Sequence, residues 1–137
     1  SREPVRRRLL RHAVDDFLDA DLTQGADYAA ARGPGFEIPI AAMPALRPAQ
    51  SAVDRVVVGI RPERLSLVSS GADVALRGEV AMREVLGAEV VLHVESPAGP
   101  LTVRTDAGAA PRPGDSVQVW LDPKSIHLFD RATEVRL

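Results

Sequence analysis

The sequence has no cysteine, a single lysine and only 4% aromatic residues. Without cysteine there is no disulfide framework and no thiolate metal site, a composition that fits a reducing compartment. With so few rings, the core has to be assembled from Val, Leu, Ile and Ala. No apolar run approaches the ~20 residues that span a bilayer, and there is no apolar core of a signal peptide, so a soluble chain is expected. A phosphate-cradling loop is also missing. Such a loop needs glycines that bring backbone N–H groups onto the phosphates, followed by Lys-Ser/Thr. The one lysine, Lys124, follows Asp122-Pro123 with no glycine run. The chain is therefore not expected to bind and hydrolyse ATP, and no catalytic, cofactor or metal residue is assigned.

What is present fits an ordinary globular balance: 137 residues, 45% hydrophobic and 26% charged. That length allows one domain or two very small ones. A formal net charge of −2 argues against a general nucleic-acid binder. The charge is uneven. Residues 1–13 hold Arg2, Arg6, Arg7, Arg8 and Arg11 against Glu3, a net +4, which leaves −6 on the remainder. Such an arginine cluster reads as a solvated helix face or as an arm for a polyanion or a membrane surface.

Residues 4–18 have helical spacing: Val5, Leu9, Ala13 and Phe17 recur every four residues, with Leu10, Val14 and Leu18 beside them. Pro4 suits the first helical position. The charges oppose the helix dipole, with arginines early and Asp15, Asp16 and Asp19 late, so this helix depends on packing of its stripe. The segment also reads as the remnant of an upstream domain. Beyond it the pattern turns to short strands: 16–22, 27–32 and 36–41, then a Pro-containing loop over 43–54. Further strands are expected at 55–61, 64–68, 74–85, 88–96, 100–105, 116–121 and 126–129. Gly/Pro turns at Gly87, Pro97–Pro100 and Pro111–Asp115 separate them, which argues for a small barrel or sandwich.

Four segments carry a family resemblance: Gly59-Ile60-Arg61-Pro62-Glu63; Gly78-Glu79-Val80 with Glu84, Leu86 and Gly87; Pro113-Gly114-Asp115-Ser116-Val117; and Ile126-His127-Leu128-Phe129-Asp130. In this order they resemble the C-terminal, transport-associated domain of sugar-importer ATPases of the ATP-binding-cassette class, the maltose and glycerol-3-phosphate importer group. The resemblance implies an all-β, OB-like fold with a short N-terminal helix. Residues 1–18 would be that helix and 19–137 the regulatory β domain, with two interleaved barrels at about 19–70 and 71–137. It implies a non-catalytic regulatory and dimerisation role in the parent ATPase, with ATP and Mg bound by a nucleotide-binding domain that this sequence lacks. The implied partners are a second copy, the ATPase domain, the permease subunits and a regulatory protein or small-molecule effector, at the cytoplasmic face of the membrane.

Within this frame the structural and signalling residues are Arg61, Pro62, Glu63, Glu84, Gly87, Phe129 and Asp130. Pro62 stiffens the corner and holds Arg61 extended. Arg61 and Glu63 could pair across it, and Glu84 could accept backbone N–H bonds at a strand end. Two alternatives stay open. Lys124-Ser125 resembles part of the oxyanion site of molybdate-binding modules, where a lysine and hydroxyl or N–H donors suit a tetrahedral anion. An oligonucleotide-binding barrel would need exposed aromatics, and the β-rich half offers Trp120 and Phe129. Asp15, Asp16, Asp19 and Asp21 lack calcium-loop spacing. His12, His93 and His127 have no partner at ligand spacing.

Overall fold

The computed structural model describes residues 16–24, 29–40, 55–71 and 73–133. These form ten strands: β1 (Asp16–Gln24), β2 (Ala29–Gly33), β3 (Phe36–Pro39), β4 (Arg55–Ile60), β5 (Leu65–Ser66), β6 (Val74–Leu86), β7 (Glu89–Ser96), β8 (Gly99–Asp106), β9 (Ser116–Leu121) and β10 (His127–Asp130). No α-helix occurs among the described residues. The fold is all-β. The helix expected over 4–18 falls mostly outside the described residues, and its last positions, 16–18, open strand β1 instead. The reason is visible in the pattern: Leu18, Ala20 and Leu22 alternate into the core, a period of two that only a strand can satisfy.

Two five-stranded antiparallel sheets result, ordered β10-β4-β1-β2-β3 and β5-β9-β6-β7-β8. In the second, β5 returns to lie against β8, so the sheet curls into a nearly closed barrel. The sheets share one core. Leu18, Ile38, Val58 and Ile60 from the first meet Leu76, Leu92, Leu101 and Leu121 from the second. Each such side chain contributes about 1.5–3 kcal/mol by leaving water. No polar or charged side chain is fully buried among the described residues.

Gly78, on β6, shows how tightly the barrel wall is drawn. A Cβ there would come within 2.5 Å of Val94 Cγ1 and 2.8 Å of the Glu95 carbonyl oxygen, so the hydrogen side chain is a packing requirement. Just beyond it the β6–β7 pairing skips a residue between Val80 and Met82. The skip is braced from the other side, where Val80 donates to the Asp115 carbonyl (2.9 Å) and accepts from Gly114 N–H (2.8 Å). The Gly-Asp turn before β9 therefore clamps the bulge, the usual place for a strand to bend.

Candidate functional site: two prolyl crossings and a hairpin arm

The chain passes between the sheets twice, and both crossings are built alike. The first leaves β4 at Ile60 and reaches β5 at Leu65 through a single 3-10 turn, Pro62–Arg64. The second leaves β9 at Leu121 and reaches β10 through the 3-10 turn Pro123–Ser125. In each, the residue before proline is extended: Arg61 at φ −74°, ψ 137° and Asp122 at φ −87°, ψ 122°. That is the conformation the proline ring imposes on its neighbour. In each, too, a buried aliphatic on either side anchors the turn: Ile60 and Leu65, then Leu121 and Ile126. The first turn is closed by Arg64 N–H donating to the Arg61 carbonyl at 2.9 Å, the second by Ser125 N–H donating to the Asp122 carbonyl at 2.9 Å.

A third link between the sheets is a side chain. Asp16, the first residue of β1, reaches the outer edge of β8, where its Oδ2 accepts from Thr102 N–H at 2.6 Å and its Oδ1 from Thr102 Oγ at 3.2 Å. Thr102 N–H points away from β7 and would otherwise be an open edge donor.

The expected site residues fall into distinct places. Pro62 opens the 3-10 turn of the first crossing, with Arg61 extended before it, and Arg61 and Glu63 form no ion pair with each other. Both charges face solvent. A 3-10 turn sends side chains two apart in different directions, which separates them. Phe129 packs with Phe17 and Val57 on the outward face of the first sheet. Gly59 makes room for the two rings, since a Cβ there would lie 3.2 Å from Phe129 and 3.4 Å from Phe17. Asp130 closes the turn after β10, its Oδ1 accepting from Ala132 N–H (2.8 Å) and Thr133 N–H (3.2 Å).

Glu84 and Gly87 belong to the β6–β7 hairpin. Gly87 turns it with φ +67°, a left-handed conformation that side chains resist. Glu84 does not accept backbone N–H bonds across the turn. Its Oε1 lies 2.5 Å from His93 Nε2 on the neighbouring strand. Glu84 stands opposite Val91 and His93 opposite Met82, so the two meet diagonally on one face, a reach open to long side chains. Past the bulge β6 runs on beyond its pairing with β9, and its Met82, Val85 and Leu86 are half or more exposed, while Val90 and Leu92 on β7 stay in the core. Met82 and Leu86 share one face of the hairpin with Glu89, which lies 3.9 Å from Arg104, and Val85 lies on the other face.

Lys124 and Ser125 occupy the second crossing. Two backbone donors there are in use: Lys124 N–H donates to Asp122 Oδ1 at 2.9 Å, and Ser125 N–H to the Asp122 carbonyl. The Asp122 carboxylate itself would repel an oxyanion. Trp120 is half-buried on the outward face of the second sheet, between Ser66 and Ala75, rather than in the core. No group of three or more potential metal ligands occurs among the described residues.

The motif residues thus build turns, clamps and crossings. The same stretch matches a family model described as the TOBE domain over residues 58–129, more than half of the chain. The chain belongs to the TOBE-domain family. Among curated proteins it is 33% identical over 100 residues to the sulfoquinovosyl glycerol transport ATP-binding protein SmoE of Agrobacterium fabrum, covering 73% of this chain and 28% of that protein. It is 33% identical over 96 residues to the sn-glycerol-3-phosphate import ATP-binding protein UgpC of Chromobacterium violaceum, covering 70% of this chain and 25% of that protein. Over 74 residues it is 40% identical to the maltose/maltodextrin import ATP-binding protein MalK of Salmonella typhimurium, covering 53% and 20%. The TOBE chain thus spans about a quarter of the length of these relatives. Among solved structures it resembles the cytoplasmic molybdate-binding protein ModG with a TM-score of 0.58 and 18% identity, covering 82% of this chain and 94% of that one. At that identity the likeness is one of fold.

Proposed function

We propose that this TOBE chain is the non-catalytic regulatory and dimerisation domain of the ATP-binding subunit of an ABC transporter that imports sugars or related solutes. The observation that carries the reading is the use made of the family motifs. Arg61-Pro62-Glu63, Gly78-Glu79-Val80, Gly114-Asp115 and Phe129-Asp130 all serve backbone geometry and packing, and the matched relatives are importer ATP-binding proteins. The mechanism is mechanical. Two sheets joined by short prolyl crossings move as a body, and a second copy bound through the hairpin arm holds two ATPase subunits together while their nucleotide-binding domains open and close. An effector that prefers one arrangement shifts the cycle by its difference in affinity for the two. ATP and Mg would be held by the nucleotide-binding domain. The permease subunits would place the assembly at the inner face of the membrane.

Sedimentation equilibrium tests the dimer. The expected result is self-association that weakens at least tenfold in Met82→Asp with Leu86→Asp, a loss of about 1.4 kcal/mol or more. A chain that stays monomeric at every concentration, or a variant that associates like the parent, defeats the reading. The oxyanion alternative predicts heat on titration with molybdate that disappears in Lys124→Ala.

A further inference from the structure

We propose that the outward face of the first sheet seats the chain's own residues 1–15. Side chains alternate along the strands, so Phe17 on β1, Val57 on β4 and Phe129 on β10 point away from the shared core, and the order β10-β4-β1 sets them side by side. They form a second apolar cluster over the bare Gly59, separate from the main one. Val57 is only 1% exposed and Phe17 only 6%, although both point outward. A sheet face facing water carries polar residues at such positions.

The occupant follows from where the chain enters. Phe17 pairs with Gly59 and His127 with Gly59, so the cluster lies at the end of the sheet where β1 begins and β4 ends. Residues 1–15 join there, two positions from Phe17. The other stretches adjoining this sheet outside the described residues join at the opposite end: 25–28 between Gln24 and its partner Ala29, 41–54 between Ile40 and Arg55, and 134–137 beyond Asp130, which pairs with Val56. The N-terminal stretch also has the matching chemistry: by helical spacing its sequence sets Val5, Leu9 and Ala13 beside Leu10 and Val14, with Arg7, Arg8 and Arg11 on the opposite side. Even at the ~1.5 Å per residue of a helix, the most compact case, fifteen residues would reach ~22 Å, more than the ~10 Å between the outer two of three adjacent strands. The inference is independent of the regulatory reading.

The absence of native cysteine allows a clean test. In the full chain carrying Leu9→Cys and His127→Cys, a short bismaleimide should join the two thiols within one molecule, read as a monomer by mass spectrometry. Covalent dimers in place of that product would mean a second copy occupies the face, and two thiols that label freely without joining would mean nothing does; either overturns the proposal. Leu9→Asp with Leu10→Asp should raise the fluorescence of the apolar dye ANS several-fold while Trp120 emission, from the other sheet, is unchanged. Arg7→Asp should leave the dye signal at the parent level. An unchanged dye signal in the Leu9/Leu10 variant also overturns it.

Discussion

Replacing Asp16 by alanine removes the only side-chain hydrogen bonds recorded between β1 and β8 among the described residues. The bond from Thr102 N–H is short, at 2.6 Å, and has an ionised acceptor, a class that contributes about 1.5–3 kcal/mol. The bond from Thr102 Oγ, at 3.2 Å, is long for a hydroxyl and adds ~0.5 kcal/mol. Both partners are half-buried, so water can replace part of what is lost, and the expected cost is about 2 kcal/mol. With a urea slope of about 2 kcal/mol/M, the unfolding midpoint should fall by about 1 M. Trp120, on β9, reports the transition by fluorescence. Asp16→Asn keeps one acceptor without the charge and should cost about half as much, and Thr102→Val, which spares the backbone donor, about 0.5 kcal/mol. Amide exchange at Thr102 should quicken more than at Val103, which faces the core. An Asp16→Ala variant within about 0.5 kcal/mol of the parent, the range of an ordinary surface change, would refute the reasoning.

Three further outcomes follow from the same geometry. Gly78→Ala should destabilise by about 1–3 kcal/mol in urea titration, because one of the atoms its methyl meets is the Glu95 carbonyl, which cannot yield without moving β7. Gly87→Ala should cost about 1–2 kcal/mol through its left-handed backbone, measured the same way, although nothing lies within 4 Å of the added methyl. The third is a pH effect. The Ser70 hydroxyl and then the Ser70 N–H, both donating to its carboxylate, hold Asp73 below the ordinary aspartate range. A depressed folded value means that this contribution is complete above the ordinary value and lost as pH falls through the lower one. The Ser70 amide resonance should therefore titrate with a midpoint below ~3.9, and a midpoint at or above that value would contradict the assignment.

Much of the architecture could be read from the sequence because local periodicity encodes it. β6, β7, β8 and β9 lie within a residue or so of the expected strands, since alternating Val and Leu with Gly/Pro breaks leave little choice. Sheet membership could not be read. The two-residue β5 joins β9, and β10 returns to β4 across about half of the chain, pairings that depend on long-range register rather than pattern. The Asp16–Thr102 bond, spanning 86 positions, has no local signal. Two features did leave one. Asp122-Pro123-Lys124-Ser125 repeats the plan of Arg61-Pro62-Glu63-Arg64, an apolar strand, X-Pro, charged residues and a second apolar run. Once Gly87 is placed in the turn, the hairpin register brings Glu84 and His93 to one face, so their contact was within reach.

The claim that this TOBE chain works by pairing through its hairpin arm is tested most directly by amide resonances recorded over a concentration series. Progressive shifts are expected at residues 81–93, absent in Met82→Asp with Leu86→Asp. Spectra that do not change with concentration, or shifts that leave the arm untouched and gather elsewhere on the barrel, would contradict it.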